Sequence, residues 1–322
     1  MGRSAGRPAT PSAIGAGLLI LGDQWNLLIL QQAFLHRIRR FADWHQALDI
    51  SESVLSGRIK ELVAAGLLEG LPYKDNGRGR TEYWLTDKAL ELWSFLVAIW
   101  SWERAWVDIG AWPTRLVHLV CGADADPDLG CLACAVAPVT ARDTSVVSGP
   151  DTTFRNVALP RHHRRTARGR GPVHPDAYRP DTLEILGDRW STVLLVAAFL
   201  RVRRFADLQN ELGIAAGILS DRLRRFGELG VLTQHRTAPD RVEYRLTRKG
   251  LEFFPVFAFL VDWAQRWYPH PSTGGLTIRH DACGQPLRPF LRCGHCRAEL
   301  LRAEVRFTGR SGPDGATEPP GK

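Results

Sequence analysis

The sequence predicts a mainly α-helical fold with small β-hairpins, an α+β chain built from two similar units. Three observations support this prediction. The chain repeats its own motifs at matching spacing, helical apolar periodicity dominates each copy, and short β-prone segments around turn residues follow the helices. Each copy also ends in cysteines with the same internal spacing. We therefore expect two domains of one kind, each followed by a small Cys-rich segment.

The composition is that of a globular protein with a basic balance. Of 322 residues, 44% are hydrophobic and 24% are charged, which is enough apolar material for two ordinary cores. The net charge of +8 favours a polyanionic partner, although an arginine-rich chain also fits a GC-rich genome. No apolar run approaches the roughly 18 to 20 residues of a membrane span, and no signal-peptide core is evident. We expect a cytoplasmic, nucleoid-associated protein with no membrane partner.

The duplication is extensive. ILGDQW at residues 20–25 reappears as ILGDRW at 185–190, and RRFAD at 39–43 reappears at 203–207. The motif Glu-Tyr-x-Leu-Thr also occurs in both copies. We divide the chain into seven segments: a flexible N-terminus (1–13), repeat 1 (14–110), a Cys-rich segment (111–138), a Pro/Arg-rich linker (139–178), repeat 2 (179–270), a second Cys-rich segment (271–308) and a disordered tail (309–322).

The linker is rich in Pro, Gly and Arg and has no sustained periodicity. Its Arg-rich core at 161–170 offers contacts to DNA phosphates. A solvated basic linker with no ordered role is the simpler interpretation.

Repeat 1 begins with a predicted helix from Ile14 to Leu35 that is interrupted at GDQW. A short helix follows from Arg39 to Leu48. A third helix runs from Ser51, its expected N-cap, to Ala64 and ends before Gly66. Two short helices joined by a tight turn are typical of a helix-turn-helix, whose second helix enters the DNA major groove. The alternative is a plain amphipathic surface helix.

A predicted β-hairpin follows the third helix in each repeat. Asn76-Gly77 is a strong hairpin-turn signal inside a basic stretch of repeat 1, and residues 238–241 form the tip in repeat 2. An arginine at such a tip, or wing, suits a narrow minor groove. The candidate DNA-contacting residues on the third helices and wings are Ser53, Ser56, Arg58, Lys60, Arg78, Arg80, Ser220, Arg222, Arg224 and Arg241.

With these motifs in place, each repeat resembles the HxlR family of bacterial winged helix-turn-helix regulators, which are related to the MarR type. The likeness rests on ILGDQW and ILGDRW, RRFADW and RRFADL, LSGRI and LSDRL, and the Glu-Tyr-x-Leu-Thr that closes the wing. It implies sequence-specific binding to double-stranded DNA, usually by homodimers on inverted repeats, and repression or activation of transcription. Neither repeat has the Cys near its start that oxidant-sensing members carry, and the tandem arrangement departs from the usual single-domain subunit.

A helix dense in large apolar residues follows each wing. Its apolar groups, among them Trp102 and Trp106 in repeat 1 and Trp263 and Trp267 in repeat 2, cover more than one helical face. We therefore expect the two repeats to pair as an intramolecular pseudo-dimer with recognition helices about one DNA turn, roughly 34 Å, apart. Core packing within each repeat and a homodimer of the whole chain are the alternatives. Pro255 predicts a kink or a late start in its helix.

The cysteines predict metal sites. His-x2-Cys-x9-Cys-x2-Cys occurs in both repeats, and three thiolates with one imidazole form a complete tetrahedral set for Zn²⁺. We expect one structural zinc ion per repeat and no organic cofactor, with a redox switch or unligated thiols as alternatives. The candidate ligands are His118, Cys121, Cys131 and Cys134 in repeat 1, and His280, Cys283, Cys293 and Cys296 in repeat 2.

Catalysis is not predicted, because the chain has no phosphate-binding glycine loop, nucleophile elbow or repeated carboxylate pair in a plausible cleft. The repeated Asp23 and Asp188 are interpreted as helix caps or braces. The competing hypothesis is a protein-interaction scaffold of the transcription machinery, since a winged helix followed by a zinc-ribbon-like segment loosely resembles general transcription factor E of archaea and eukaryotes. Cations on both the wings and the recognition helices favour DNA.

Overall fold

The structure is a computed structural model that describes residues 12–108, 112, 114–147, 178–239, 241–268 and 276–309. Four predicted features lie wholly or partly outside the described residues: most of the flexible N-terminus, the Arg-rich core of the linker, Asp240 of the predicted second wing, and the tail beyond residue 309.

Each repeat has four helices, a hairpin, a one-turn helix and a long last helix. Repeat 1 comprises α1 (Ala13–Leu21), α2 (Gln24–His36), α3 (Phe41–Leu48), α4 (Glu52–Ala64), β1 (Leu68–Asp75), β2 (Arg78–Leu85), α5 (Asp87–Leu90) and α6 (Trp93–Trp106). Three strands follow: β3 (Thr114–His118), β4 (Pro127–Cys131) and β5 (Thr144–Val147). Repeat 2 comprises α7 (Pro180–Leu186), α8 (Arg189–Phe199), α9 (Phe205–Leu212), α10 (Ala216–Glu228), β6 (Leu232–Ala238), β7 (Arg241–Leu246), α11 (Arg248–Leu251) and α12 (Phe254–Trp267). The last strands are β8 (Thr277–His280), β9 (Pro289–Cys293) and β10 (Val305–Gly309).

The predicted elements of repeat 1 are present. The first helix breaks at GDQW because the Asp23 carboxylate caps α2, accepting hydrogen bonds from the backbone N–H groups of Trp25 and Asn26 at 3.0 and 3.2 Å. The wing turns at Asn76 and Gly77, which both have positive φ (49° and 77°), as a two-residue hairpin requires. In repeat 2, Pro255 lies in the first turn of α12, so it marks a late start and does not kink the helix.

The two repeats pack against each other through their first and last helices. Helix α1 packs on α12, and α12 packs on α6. Two matching hydrogen bonds relate the repeats by an approximate two-fold axis: the indole N–H of Trp102 donates to the carbonyl of Lys249 at 3.0 Å, and that of Trp263 to the carbonyl of Lys88 at 2.9 Å. Trp102 and Trp263 are buried at this contact between the repeats, while Trp106 and Trp267 are half-buried.

The Cys-rich segments form three two-stranded antiparallel sheets, and every one joins the two repeats. Strand β3 pairs with β10, β4 with β9, and β5 with β8. In the central sheet Leu129 lies opposite Leu291, the equivalent residue of the other repeat, so the two-fold axis passes between them. We call these six strands and their loops the Cys-rich lobe.

The lobe extends further along the chain than the sequence analysis placed it. The linker was predicted to begin at residue 139, but Val139 is buried and Thr144–Val147 forms β5. Residues 144–147 form a strand because they pair with β8 of the other repeat. Local composition does not reveal such a distant partner. Among the described residues, no helix has the length and apolar character needed to span a membrane.

A buried carboxyl group joins α6 of repeat 1 to the start of repeat 2. Glu103 is 2% exposed, and its Oε1 accepts a hydrogen bond from the backbone N–H of Arg179 at 2.7 Å. Burial raises the pKa of Glu103 to about 7 from an ordinary value of 4.5. Folding therefore takes up a proton between these two values.

We expect the free energy of unfolding to fall as pH rises from 4.5 through 7, because above pH 7 the folded protein holds a buried carboxylate. The loss should approach about 3 kcal/mol. Glu103→Gln should flatten this dependence and stabilise the protein above pH 7. Urea unfolding at several pH values tests this, with Glu69→Gln on the exposed face of β1 as control. An unchanged pH profile in Glu103→Gln would contradict the assignment.

Candidate DNA-binding surface and metal centres

Helix α4 has one buried face and one exposed face. Leu55, Ile59 and Leu62 point into the core of repeat 1, as predicted. Ser53, Gly57 and Lys60 are exposed, and Ser56 is half-buried. In repeat 2, α10 buries Leu219, Leu223 and Phe226 and exposes Gly217, Ser220 and Arg224. Both helices therefore present small or polar side chains toward solvent.

Arg58 and Arg222, which the sequence predicts to contact DNA, lie in ion pairs within their own repeats. The Arg58 guanidinium lies 2.8 Å from the carboxylate of Asp23, and Arg222 lies 2.6 Å from that of Asp188. The two arginine side chains are only 22% and 13% exposed. Because these aspartates also cap α2 and α8, each ion pair joins α4 to the start of α2, or α10 to the start of α8. These arginines act as braces that fix α4 and α10.

The sequence carried a signal for this brace. The aspartate of ILGDQW and ILGDRW and the arginine of LSGRI and LSDRL are retained together in both repeats. The interpretation of Asp23 and Asp188 as caps is confirmed, but the sequence analysis did not join them to the arginines.

The remaining helix cations differ between the repeats. Lys60 is exposed on α4. Arg224 on α10 is 57% exposed and pairs with Asp221 at 2.8 Å and with Glu228. The hydrogen bonds that Arg224 donates to the carboxylates of Asp221 and Glu228 raise its pKa. The positive charge on α10 is thus partly neutralised by its own helix.

Both wings are antiparallel hairpins with exposed cations. Arg78 opens β2 opposite Asp75, and Arg80 lies two residues further along, opposite Tyr73. Arg80 is 52% exposed, with its Nε 3.3 Å from the Asp75 carboxylate. Arg241 opens β7 opposite Ala238 and is exposed. The second wing is shorter, so its arginine lies next to the turn.

The C-terminal end of α4 is held by residues from the interface between the repeats. The Lys88 ammonium donates to the carbonyl of Ala65 at 2.9 Å, and the Thr86 hydroxyl donates to that of Gly66 at 2.6 Å. The same ammonium lies 3.9 Å from the ring centre of Tyr268 in repeat 2. Burial lowers the pKa of Lys88. The recognition helix is therefore linked directly to the other repeat.

All eight predicted metal ligands fall into two clusters, but their grouping differs from the prediction. The first metal site comprises His118, Cys121, Cys293 and Cys296; the second comprises Cys131, Cys134, His280 and Cys283. Each combines the His-x2-Cys arm of one repeat with the Cys-x2-Cys knuckle of the other. The expected grouping within one repeat is therefore wrong. The physical reason is the pairing of β4 with β9, which carries each knuckle to the opposite arm.

The clusters fit a tetrahedral metal ion. Bonds of about 2.3 Å to sulfur and 2.0 Å to nitrogen place ligand atoms about 3.8 Å apart for two sulfurs and about 3.5 Å for sulfur and nitrogen. In the first site, Cys121 Sγ lies 4.0 Å from Cys293 Sγ and 3.4 Å from His118 Nδ1. In the second, Cys134 and Cys283 lie 3.3 and 3.4 Å from His280 Nδ1. All four ligand atoms of each site lie within 4.8 Å of one another.

The turns that carry the ligands are tightly specified. Gly122 and Gly284, directly after the arm cysteines, have positive φ (69° and 68°), which glycine adopts without strain. The knuckle cysteines Cys131 and Cys293 accept turn hydrogen bonds at their carbonyls from Ala135 and Arg297. A backbone hydrogen bond from Ala298 lowers the pKa of the Cys296 thiol. Burial raises the pKa of Cys293 in the same knuckle, and a bound cation would favour its thiolate form.

A carboxylate that the sequence analysis missed faces the first site. Glu304 Oε2 lies 3.9 Å from Nε2 of His118, the ring nitrogen that points away from the thiols. His118 Nε2 is buried with no hydrogen-bond partner among the described residues. A carboxylate near the second nitrogen of a metal-binding histidine orients the ring. The pairing of β10 with β3 places Glu304 next to His118, and no local sequence motif predicts this contact.

Comparison with known proteins identifies the helical units. The HxlR-like helix-turn-helix family matches residues 20–110 and 185–272, which is more than half of the chain. The chain belongs to this family. The match occurs twice, so it is a tandem HxlR-like protein, and the resemblance inferred from the repeated motifs is confirmed. Members of this family are transcription regulators and not enzymes.

The names of two relatives agree with this assignment. An uncharacterized HTH-type transcriptional regulator of Mycobacterium tuberculosis is 38% identical over 133 residues, covering 41% of this chain and 83% of the relative. The regulator YvaP of Bacillus subtilis is 30% identical over 88 residues, covering 26% of this chain and 82% of the relative. The crystal structure of PA1607, a candidate transcription factor, is 30% identical and covers 42% of this chain and 97% of its own, with a TM-score of 0.37. The protein is a helix-turn-helix transcriptional regulator.

Proposed function

We propose that the protein binds double-stranded DNA sequence-specifically as an intramolecular pseudo-dimer. Helices α4 and α10 enter major grooves, and the wings β1–β2 and β6–β7 reach minor grooves. Ser53, Ser56 and Ser220 offer hydrogen bonds to base edges, while Lys60, Arg78, Arg80, Arg224 and Arg241 contact phosphates or groove walls. Because the exposed residues of α4 and α10 differ, the two half-sites differ in sequence.

The observation that carries this proposal is the placement of cations at both the helix and the wing of each repeat. Lys60 and Arg80 flank the exposed face of repeat 1, and Arg224 and Arg241 flank that of repeat 2. The Arg58 and Arg222 braces support it further, since a rigid recognition helix loses less entropy on binding. Repeat 1 contributes more of the affinity because α10 neutralises part of its own charge.

We also infer that the two Cys/His clusters bind Zn²⁺. Three thiolates and one imidazole at tetrahedral spacing select zinc over the oxygen-preferring ions. Four protein ligands leave no open position for water activation, so the ions are structural. This fits a cytoplasmic DNA-binding protein, since none of the six cysteines, all of them described, forms a disulfide.

Selection of the purified protein against random duplex DNA tests the proposed function. We expect enrichment of two unequal half-sites about one helical turn apart, roughly 34 Å. Affinity should fall steeply with salt because phosphate contacts release counterions. Absence of enrichment together with salt-independent binding would contradict the regulator function and favour a protein-interaction scaffold.

Alanine substitution of the wing arginines should weaken DNA binding. Arg80→Ala and Arg241→Ala each remove one cation from a wing, so we expect roughly a 5- to 50-fold weaker Kd and a salt slope lower by about one. Affinity measured between low and high salt on the selected duplex tests both changes. Arg302→Ala, an exposed cation in the Cys-rich lobe, is the matched control and should change neither quantity. Unchanged affinity and slope in both wing variants would refute the role of the wings.

A further inference from the structure

We propose that each metal site is a cross-link between the two repeats, and that metal occupancy fixes the position of one recognition helix relative to the other. The cross-link itself depends only on the ligand grouping. Its consequence for DNA rests on the function proposed above.

The first step is that neither repeat can complete a site alone. Each repeat supplies a His-x2-Cys arm to one site and a Cys-x2-Cys knuckle to the other. His118 and Cys293, from different repeats, are both fully buried in the first site, as are Cys131 and His280 in the second. A metal ion in either site therefore joins residues that are far apart in the chain. A cross-link that closes such a long loop removes the most conformational entropy from the unfolded chain.

The second step is that the lobe is docked on the helices of the repeat interface. The ring of Trp100 in α6 meets that of Phe307 in β10 edge to face, with centroids 5.5 Å apart. The Arg104 guanidinium donates to the carbonyl of Thr114 in β3 at 2.8 Å. On the other side, the Gln265 amide of α12 donates to the carbonyl of Leu276. Order in the lobe therefore constrains α6 and α12.

The third step connects α12 to a recognition helix. Trp263 and Tyr268 at the end of repeat 2 contact Lys88, whose carbonyl accepts from Trp263 and whose ammonium lies over Tyr268. That ammonium in turn donates to Ala65 at the end of α4. The path from the metal sites to α4 thus consists of packed helices, hydrogen bonds and the contact of the Lys88 ammonium with Tyr268.

Metal binding itself involves no redox step: each thiol that becomes a ligand releases its proton.

Two double variants with the same number of lost thiols test the cross-link. Cys121→Ser with Cys296→Ser removes two ligands from the first site, although these cysteines belong to different repeats. Cys121→Ser with Cys134→Ser removes one ligand from each site, although both cysteines belong to repeat 1. Zinc per chain is measured by elemental analysis of the full-length protein after removal of loosely bound metal. Circular dichroism checks that the helices persist.

We expect two zinc ions in the unchanged protein, one in the Cys121/Cys296 variant and none in the Cys121/Cys134 variant. If each site were built within one repeat, the result would be reversed: the Cys121/Cys296 variant would bind no zinc ion and the Cys121/Cys134 variant would bind one. That reversal would overturn the proposal, as would fewer than two ions in the unchanged protein. Loss of both ions from both variants with helices intact would also overturn it, because the sites would then not be separate cross-links. Cys134→Ser with Cys283→Ser repeats the test in the second site.

The link to DNA is tested with the duplex obtained by selection. We expect metal removal to weaken binding to the two-half-site duplex at least tenfold and to change binding to either half-site alone less than twofold. Equal affinity of the metal-loaded and metal-free protein for the full duplex would overturn the coupling. If the metal-loaded protein bound no selected duplex, the proposed function would fail, while the zinc counts would still decide the cross-link.

Discussion

Removing metal from both sites is expected to melt the Cys-rich lobe while leaving the two winged units folded. The lobe consists of three two-stranded sheets, which are too small to be stable without another source of free energy. Structural zinc supplies on the order of 10 kcal/mol or more per site at neutral pH. The winged units bury a much larger apolar core, including Trp44, Phe226 and Phe253.

Amide hydrogen exchange with and without a chelator tests this expectation. Protection of the central sheet, at Gly130 and Phe290, should collapse on metal removal, while amides in α2 and α8 should keep most of their protection. The Cys121/Cys134 double variant is the control, because it should exchange rapidly in the lobe whether or not a chelator is present. Retained protection at Gly130 and Phe290 in protein shown to be free of metal would contradict the expectation.

Trp263→Ala should produce the largest loss of stability from a single substitution at the repeat interface. The side chain is 1% exposed, its indole N–H bonds the Lys88 carbonyl, and its ring meets Tyr268 with centroids 5.7 Å apart. It also lies close to Gly17 of α1, so it fills space between three elements. Replacing a buried Trp by Ala costs about 3 to 5 kcal/mol through lost burial and the cavity left behind.

Denaturant unfolding of the metal-loaded protein measures this loss. Trp84→Ala is the control, since Trp84 is 38% exposed on β2 and contacts chiefly the Arg39 guanidinium. We expect the control to cost about 1 kcal/mol or less. A similar cost for both variants would show that Trp263 contributes no more than a surface residue.

The winged units were largely predictable because their signals are local. Helix periodicity, the Asp23 break and the Asn76-Gly77 turn each depend on residues within one or two turns of the chain. Repetition of the motifs strengthened each of them. The late start at Pro255 followed from the absence of its N–H, which the first turn of a helix does not need.

The lobe was less predictable because its order depends on distant partners. The ligand types were recognised from the spacing of Cys121, Cys131 and their equivalents, but spacing cannot tell which arm meets which knuckle. Strand β5 escaped notice because its partner β8 is more than a hundred residues away. The ion pair between Arg58 and Asp23 was not predicted because the two residues are far apart in the sequence.

The sharing of ligands has a consequence for how such a protein arises. A chain with a single copy would carry half of two sites, so it would fill them only by meeting a second chain. Joining the copies in one polypeptide makes that encounter independent of concentration and fixes a one-to-one ratio. It also frees the two copies to change separately, as Ser53 and Gly217 on the two exposed helix faces already have. If the protein binds DNA as proposed, the fused copies can therefore recognise a site with two different halves, which has a direction along the DNA.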